Sequence, residues 1–520
     1  MSVGSIVERG RSRGDGRPLV GRAGTVSGTA LFVWALVVLG AGLRFYGLGH
    51  QGFWYDEANT AFLMRRPFGD MLGLLPTNES TPPLYYCVAW LWTRVFGAGE
   101  AGLRSLSALF GVLVIPVAYA LGSAAVSRRV GVVAAALVAF NPLLIWYSQE
   151  ARSYILLVLL TALALLALVH ALRNPTPRAL ALWSLAAVLS LTTHYYAVLV
   201  VAPQALWLLI TNGRRRGPQI AVAVIIVSGL ALIPLALAQN GTHRDQWISA
   251  SPLGIRLNQL VPQILIGPGA PDRLLIKFIA FAAALIGLGL LVLRANQRER
   301  RVALQIGAMV LFGFVLNLVF ILVGYDDLIT RNLLALVVSV LLVLSVGLGA
   351  RRAGGVGLVA AAVLCAMGAT AAIGVAADRG LQRPDWRPLA KMLGPRPPFH
   401  GPGRAFLIQD YRFLLPMSLY MRGLRRIAPR VGARVNQLDV ISISAPEQRL
   451  CWWGAACNLL PSSPQLSYPI PGFQFVWQRR VRQFTVQHFV SRHPVQIRPA
   501  VVAPALYLTA LGRDGLLFQQ

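Results

Sequence analysis

Apolar residues in this chain gather in unbroken blocks of about 17 to 25 residues, the length that carries a helix across a hydrocarbon core of roughly 30 Å. Such blocks fall at 29–47, 105–126, 131–147, 154–172, 178–193, 195–212, 218–238, 273–293, 302–323, 328–350 and 353–377. They predict about eleven transmembrane helices. The aromatic stretch 82–97 is shorter, carries Arg94 near its end, and is expected to lie on the outer face as an interfacial or re-entrant helix, with Trp90 and Trp92 at headgroup level. After residue 377 no further apolar block of that length occurs.

The polar positions set the orientation. Basic clusters at Arg128-Arg129, Arg173 to Arg178, Arg214-Arg215-Arg216, Arg294 to Arg301 and Arg351-Arg352 occupy alternate loops. The positive-inside rule assigns them to the cytoplasm, with the first block a retained span. Acids were not used for that assignment, yet ten of the eleven between residues 30 and 377 fall on the opposite face, Glu299 being the exception. Carboxylates are costly in hydrocarbon, so their gathering on one surface suggests a site there.

The resulting expectation is a mainly α, polytopic membrane protein in three parts. Residues 1–28 are a disordered cytoplasmic N-terminus, 29–377 a transmembrane catalytic domain, and 378–520 a small extracytoplasmic α/β domain. Short β-favouring runs at 440–444, 473–476 and 484–490 support strands in the tail, where Cys451 and Cys457 could pair in an oxidising compartment.

Composition agrees: 56% hydrophobic, 13% charged and a mean hydropathy of +0.60 exclude an ordinary soluble protein of 520 residues. The net charge of +29 is spread over loops and forms no stripe, so it reads as topology and not as a nucleic-acid surface. No Walker loop or Rossmann glycine fingerprint is present, which disfavours a nucleotide-sugar donor or ATP-driven transport. Gly287 and Gly289 lie within a span and read as helix packing.

Candidate chemistry clusters in the outer loops. Asp56 and Glu57 follow Gly52-Phe53-Trp54-Tyr55 just beyond the first span, where a carboxylate could act as general base or help hold a cation. Glu79 precedes Ser80-Thr81-Pro82-Pro83-Leu84-Tyr85-Tyr86. Glu150, Arg152 and Tyr154 lie in Ser148-Gln149-Glu150-Ala151-Arg152-Ser153-Tyr154. Arg152 and Arg331 each open a span descending from the outer face, where a guanidinium fork suits the phosphate of a lipid-linked donor. His194-Tyr195-Tyr196 joins two spans outside, and Arg244 sits in the long loop beside His243, Asp245 and Trp247.

These motifs, in this order, together with Thr193-His194-Tyr195-Tyr196 and Arg383-Pro384-Asp385-Trp386, resemble the GT-C membrane glycosyltransferases of the protein O-mannosyltransferase and aminoarabinose-transferase type, over roughly residues 29–390. The resemblance implies inverting transfer of a hexosyl or pentosyl group from a polyprenyl-phosphate donor to a protein, lipid or glycan acceptor outside the plasma membrane. It maps the general base to Asp56, with Glu57 beside it as a catalytic candidate. It also implies a divalent cation at Asp56 and Glu79, as in some members, and no nucleotide cofactor. The competing class is a secondary transporter or flippase for a lipid-linked saccharide, which should place ionisable residues near mid-membrane.

Overall fold

A computed structural model describes residues 28–242, 246–249, 251–394, 403–408, 413–426, 432–443, 470–498 and 515–519. Nine of its helices are long and apolar enough to cross a membrane, from Gly28–Phe45 to Arg351–Ala377. The block predicted at 131–147 is a pair, Arg128–Phe140 and Pro142–Ser148, bent by 57°. The block at 178–193 is the apolar helix Pro177–Thr193, whose 17 residues fall one short of the others' minimum. Every predicted span thus has a helix in place, and among the described residues nine to ten are both long and apolar enough to cross.

Capping residues in the sequence fix several helix starts. Ser127 and Thr176 accept the Val130 and Ala179 amides, and Asn296 and Glu299 form a reciprocal capping box. The one acid predicted on the cytoplasmic side therefore serves a helix end. The bend at Asn141 has an equally local cause. Pro142 has no N–H for the Val138 carbonyl, so the first helix cannot continue. Arg44, fully buried at the end of the first helix, donates to the Val138 and Ala139 carbonyls at 2.9 Å each, while Asn141 caps the next helix at Leu144.

The helix in Thr330–Gly349 is central: 89% of its most apolar window is buried, against 17–22% for peripheral helices such as Arg273–Leu293 and Gln297–Leu322. Exposed Leu31, Phe32, Leu274, Phe278, Leu304 and Leu322 line the outside of the bundle, as lipid-facing positions should. Gly287 allows close contact with Gly347 on the central helix, where a Cβ at 347 would stand 2.0 Å from the Gly287 carbonyl oxygen.

Between the first two membrane helices lie Tyr55–Met64, Phe68–Asn78 and Leu84–Phe96, all too short to span. The last is the aromatic segment. Its Trp90 Nε1 donates to the Arg66 carbonyl and its Arg94 to the Met64 carbonyl, so it packs on the other short helices instead of crossing.

A six-stranded sheet follows, built from β1 (Arg404–Ile408), β2 (Leu424–Arg426), β3 (Ala433–Ile443), β4 (Gln474–Val481), β5 (Phe484–Ile497) and β6 (Gly515–Gln519), in the order β2-β6-β1-β3-β5-β4. β1 and β3 are parallel, Arg404 pairing with Gln437, and the other pairs are antiparallel. Period-two alternation gives the sheet two apolar faces. Phe406, Ile408, Phe484 and Val486 pack with Trp386 and Leu389 of helix Trp386–Leu393 and Met417 of helix Leu414–Tyr420, and Ala405, Leu407, Leu438 and Val440 face the other way. Cys451 and Cys457 lie outside the described residues.

Candidate active site

The outer loops singled out by sequence meet at one end of the bundle. The basic loops meet at the other: Arg129 bonds the Gly354 carbonyl, Arg173 that of Ala124, and the Arg351 amide donates to Glu299.

Asp56 and Glu57 open the helix Tyr55–Met64, and adjacency on a helix sends them to different places. Glu57 is fully buried. Arg104 grips both its oxygens, Nε to Oε1 at 2.7 Å and Nη2 to Oε2 at 2.5 Å, and the Ala151 amide adds a third bond at 2.9 Å. Burial alone would raise its carboxyl, but the charge and hydrogen bonds of Arg104 outweigh this and hold it below the usual carboxylate range. Arg104 also donates to the carbonyls of Leu48, Gln51 and Gly52. Glu57, expected as catalytic, is instead buried and bonded through both oxygens, and ties the loop before Tyr55–Met64 to the one at Ala151.

Asp56 keeps a side chain 20% exposed, and its Oδ2 accepts from Arg331 Nη1 at 3.2 Å. Glu79 is 2% exposed. Both its oxygens take Arg152 Nη1 at 2.8 Å and Asn59 donates at 2.7 Å. This arrangement does not fit the expected metal: the carboxylates of Asp56 and Glu79 are each neutralised by an arginine, and no cluster of three acidic, His or Cys ligands occurs among the described residues. Arg152, expected on a donor phosphate, is likewise committed to Glu79.

A cavity that reaches Arg331, the partner of Asp56, is lined by Trp54, Trp146, Tyr147, Glu150, Arg331 and Arg383, with Arg256, Gln259, Gln263, Ile329 and Thr330 completing it. Glu150 Oε2 accepts from Arg383 Nη2 at 2.5 Å, while Oε1 is buried without a hydrogen-bond partner. Burial, opposed by Arg383 and aided by the Glu57 and Asp56 charges, pushes Glu150 up to about 7. The Arg383 guanidinium sits 4.0 Å over the Trp146 ring and 5.4 Å from that of Trp54. Arg256 holds Asp326 with two bonds of 2.7 Å.

His194 is 3% exposed, with ring contacts to Tyr154 and Tyr196 at 5.5 Å. Burial, then the Arg152 and Arg331 charges, lower its imidazole to about 3, so it is neutral at physiological pH. Its Nδ1 accepts the Tyr196 amide. Tyr154 packs edge-on to Tyr147, and the Arg331 guanidinium lies 5.9 Å over its ring. Tyr195 does not line the cavity and donates to Gln239 at 2.8 Å. Arg244, with His243 and Asp245, lies outside the described residues.

Residues 80–238 match the family model described as dolichyl-phosphate-mannose-protein mannosyltransferase. The structure of ArnT from Cupriavidus metallidurans bound to undecaprenyl phosphate superposes with a TM-score of 0.51 at 14% identity, covering 88% of this chain and 97% of that one. The chain shares the fold of that ArnT, and its residues 80–238 are similar to the mannosyltransferase family.

The same ArnT in the apo state gives a TM-score of 0.45 at 17% identity over 63% of this chain and 61% of that one. The oligosaccharyltransferase of Archaeoglobus fulgidus in complex with Zn and sulfate gives 0.43 at 15% identity over 75% and 62%. The chain thus spans about three fifths of the length of these two. No curated protein matches the chain.

Residues that shape this site but were not selected from sequence include Trp54, Arg104, Trp146, Tyr147, Arg256, Gln263, Thr330 and Arg383. A signal existed for the arginines. Arg104 and Arg256 lie outside the basic loops that the positive-inside rule assigns to the cytoplasm, so that rule leaves them unexplained, and Arg383 stands in a motif noted only for its resemblance.

Proposed function

We propose that this protein is a polyprenyl-phosphate-dependent glycosyltransferase whose active site lies outside the plasma membrane, with Asp56 as general base. The observation that carries the reading is the contrast among the acids. Glu57 and Glu79 are 0% and 2% exposed and locked to arginines, whereas Asp56 is partly open and bound at 3.2 Å to Arg331, a cavity-lining cation. Alternate-loop arginines support the outer placement.

A lipid-linked donor brings its phosphate to the membrane surface. Its oxygens compete with Asp56 for the Arg331 guanidinium, and on exchange the carboxylate is released toward an acceptor hydroxyl. The acceptor oxygen then attacks the anomeric carbon with inversion, its proton passes to Asp56, and the carbon–oxygen bond to phosphate breaks with its electrons leaving on polyprenyl phosphate. Arg331 stabilises that charge. The pocket's aromatic and polar lining beside Arg331 suits a sugar ring next to its phosphate. Acceptors with hydroxyls at the membrane surface, whether protein, lipid or glycan, fit the reading equally.

The test presents purified protein with a panel of undecaprenyl-phosphate sugars and follows donor consumption by mass spectrometry. Asp56→Asn should lower turnover by about two to four orders of magnitude without unfolding the protein. Near-wild-type turnover would sink the assignment of the base. A folded wild-type sample that consumes no donor would favour the transporter or flippase reading.

A further inference from the structure

The cavity contains one acidic oxygen that the reaction above does not use. Glu150 is 1% exposed and lines the cavity, and its Oε1 is buried with no partner, while Oε2 is fixed by Arg383 at 2.5 Å. A buried carboxylate oxygen with an empty hydrogen-bonding position is costly in a folded protein unless something fills it. The surroundings define what could. Trp54, Trp146 and Tyr147 supply an apolar, aromatic wall, and Gln263 and Thr330 a polar one. Such a mixture suits a sugar, whose ring offers C–H faces to aromatics and hydroxyls to polar groups.

We propose that Glu150 is the sugar-reading residue of the donor pocket: Oε1 accepts a hydrogen bond from a ring hydroxyl of the polyprenyl-phosphate-linked sugar, and Arg383 holds the carboxyl in position. The assignment rests on the donor reading above and adds to it which residue recognises the sugar apart from its phosphate.

Three features support it. Arg331, the phosphate-binding candidate, lines the same cavity, so sugar and phosphate subsites adjoin as they must in one donor. Arg383 is itself immobilised over Trp146, and its carbonyl accepts from Gln51, so the carboxyl it grips is preorganised. Finally, burial beside Arg383, Glu57, Asp56 and Arg331 holds Glu150 at about 7. Near neutrality Oε1 can thus accept from a hydroxyl when ionised or donate to one when protonated.

A site built to bond a hydroxyl discriminates strongly, because without that hydroxyl its own polar group is left unpaired. The experiment measures competition with a fluorescent polyprenyl phosphate by the full-length protein, comparing bare undecaprenyl phosphate with a panel of undecaprenyl-phosphate sugars. Wild type should prefer one sugar-bearing donor over the bare lipid phosphate. Glu150→Gln and Glu150→Ala should each lose about tenfold or more of that preference and leave affinity for the bare lipid unchanged.

Preference that persists in both variants overturns the assignment. So does wild type that turns donors over yet shows no preference for any sugar. If Gln and Ala variants also lose the bare lipid while Glu150→Asp, which keeps a charge for Arg383, retains full preference, the role is structural and the assignment falls. Wild type that binds neither lipid phosphate nor any sugar donor removes the donor reading itself, and this assignment with it.

Discussion

At the scale of single residues, the site is a set of carboxylates in different electrostatic surroundings. Glu57 and Glu150 are both buried, yet one is held low by two bonds from Arg104 and the other is pushed up by burial that a single Arg383 contact does not cancel. His194 shows the same physics with opposite sign, and this gives a pH test. Its folded value of about 3 lies below the ordinary 6.5, so the stability gained from keeping it neutral is complete above pH 6.5 and is lost as pH falls toward 3. Glu150, raised from 4.5 to about 7, contributes fully below pH 4.5 and loses that contribution as pH rises through 7. Between pH 6.5 and 4.5 the thermal midpoint of His194→Gln should therefore fall less steeply than that of wild type. Parallel curves would mean that His194 carries no such linkage. Asp56, Glu79, Glu150 and Arg331 could be picked out from sequence because acids and outer arginines are rare in so apolar a chain. Their pairings could not, since which arginine meets which acid depends on helix rotation, and Glu57 differs from Asp56 only by about 100° around one helix.

At the scale of elements, the long apolar helices were legible because block length is a local signal, whereas short helices such as Tyr55–Met64, Phe68–Asn78 and Leu253–Ile266 were not. Sequence also missed the break at Asn141-Pro142, where a single apolar block is two helices. The break matters because the second piece, Pro142–Ser148, carries Trp146 and Tyr147 into the cavity and leads straight to Glu150. Arg44 makes it tolerable by supplying the Val138 carbonyl with the donor that Pro142 lacks. Arg44→Met keeps the volume and removes the donors, leaving the Val138 and Ala139 carbonyls buried and unpaired at about 1–3 kcal/mol each. Thermal unfolding in detergent should show a lower midpoint, and donor binding should weaken because the aromatic wall is no longer fixed. A variant indistinguishable from wild type in both measurements would mean that the bend needs no cap. Close packing at Gly111 limits any relaxation, since a Cβ there would stand 2.0 Å from Ser148 Oγ.

At the scale of the whole molecule, the C-terminal sheet and its flanking helices are built into the site. The loop that delivers Asp56 is held from that side by several bonds. Asp385 accepts the Gly52 amide at 2.9 Å and Arg482 at 2.5 Å, Arg387 donates to the Gly49 carbonyl, and Tyr420 Oη accepts the Phe53 amide at 2.8 Å while donating to Glu100 at 2.7 Å. The sequence showed a composition change after residue 377 and a few strand-forming runs, but strand order and docking depend on contacts hundreds of residues apart, which no local pattern encodes. We propose that the tail is a separate folding unit whose docking fixes the reach of Asp56. Tyr420→Phe tests this with the smallest change available: the ring stays, and the hydroxyl that serves both Phe53 and Glu100 is lost. Leaving the Phe53 amide unpaired costs about 1–3 kcal/mol, enough to let the loop depart from its bound position. Turnover should drop by about tenfold, while affinity for bare polyprenyl phosphate, which the proposed function assigns to Arg331, should hold. Turnover close to wild type would show that the helical bundle positions Asp56 without help. Loss of lipid binding together with turnover would instead mean that the sheet supports the bundle as a whole and not the one loop.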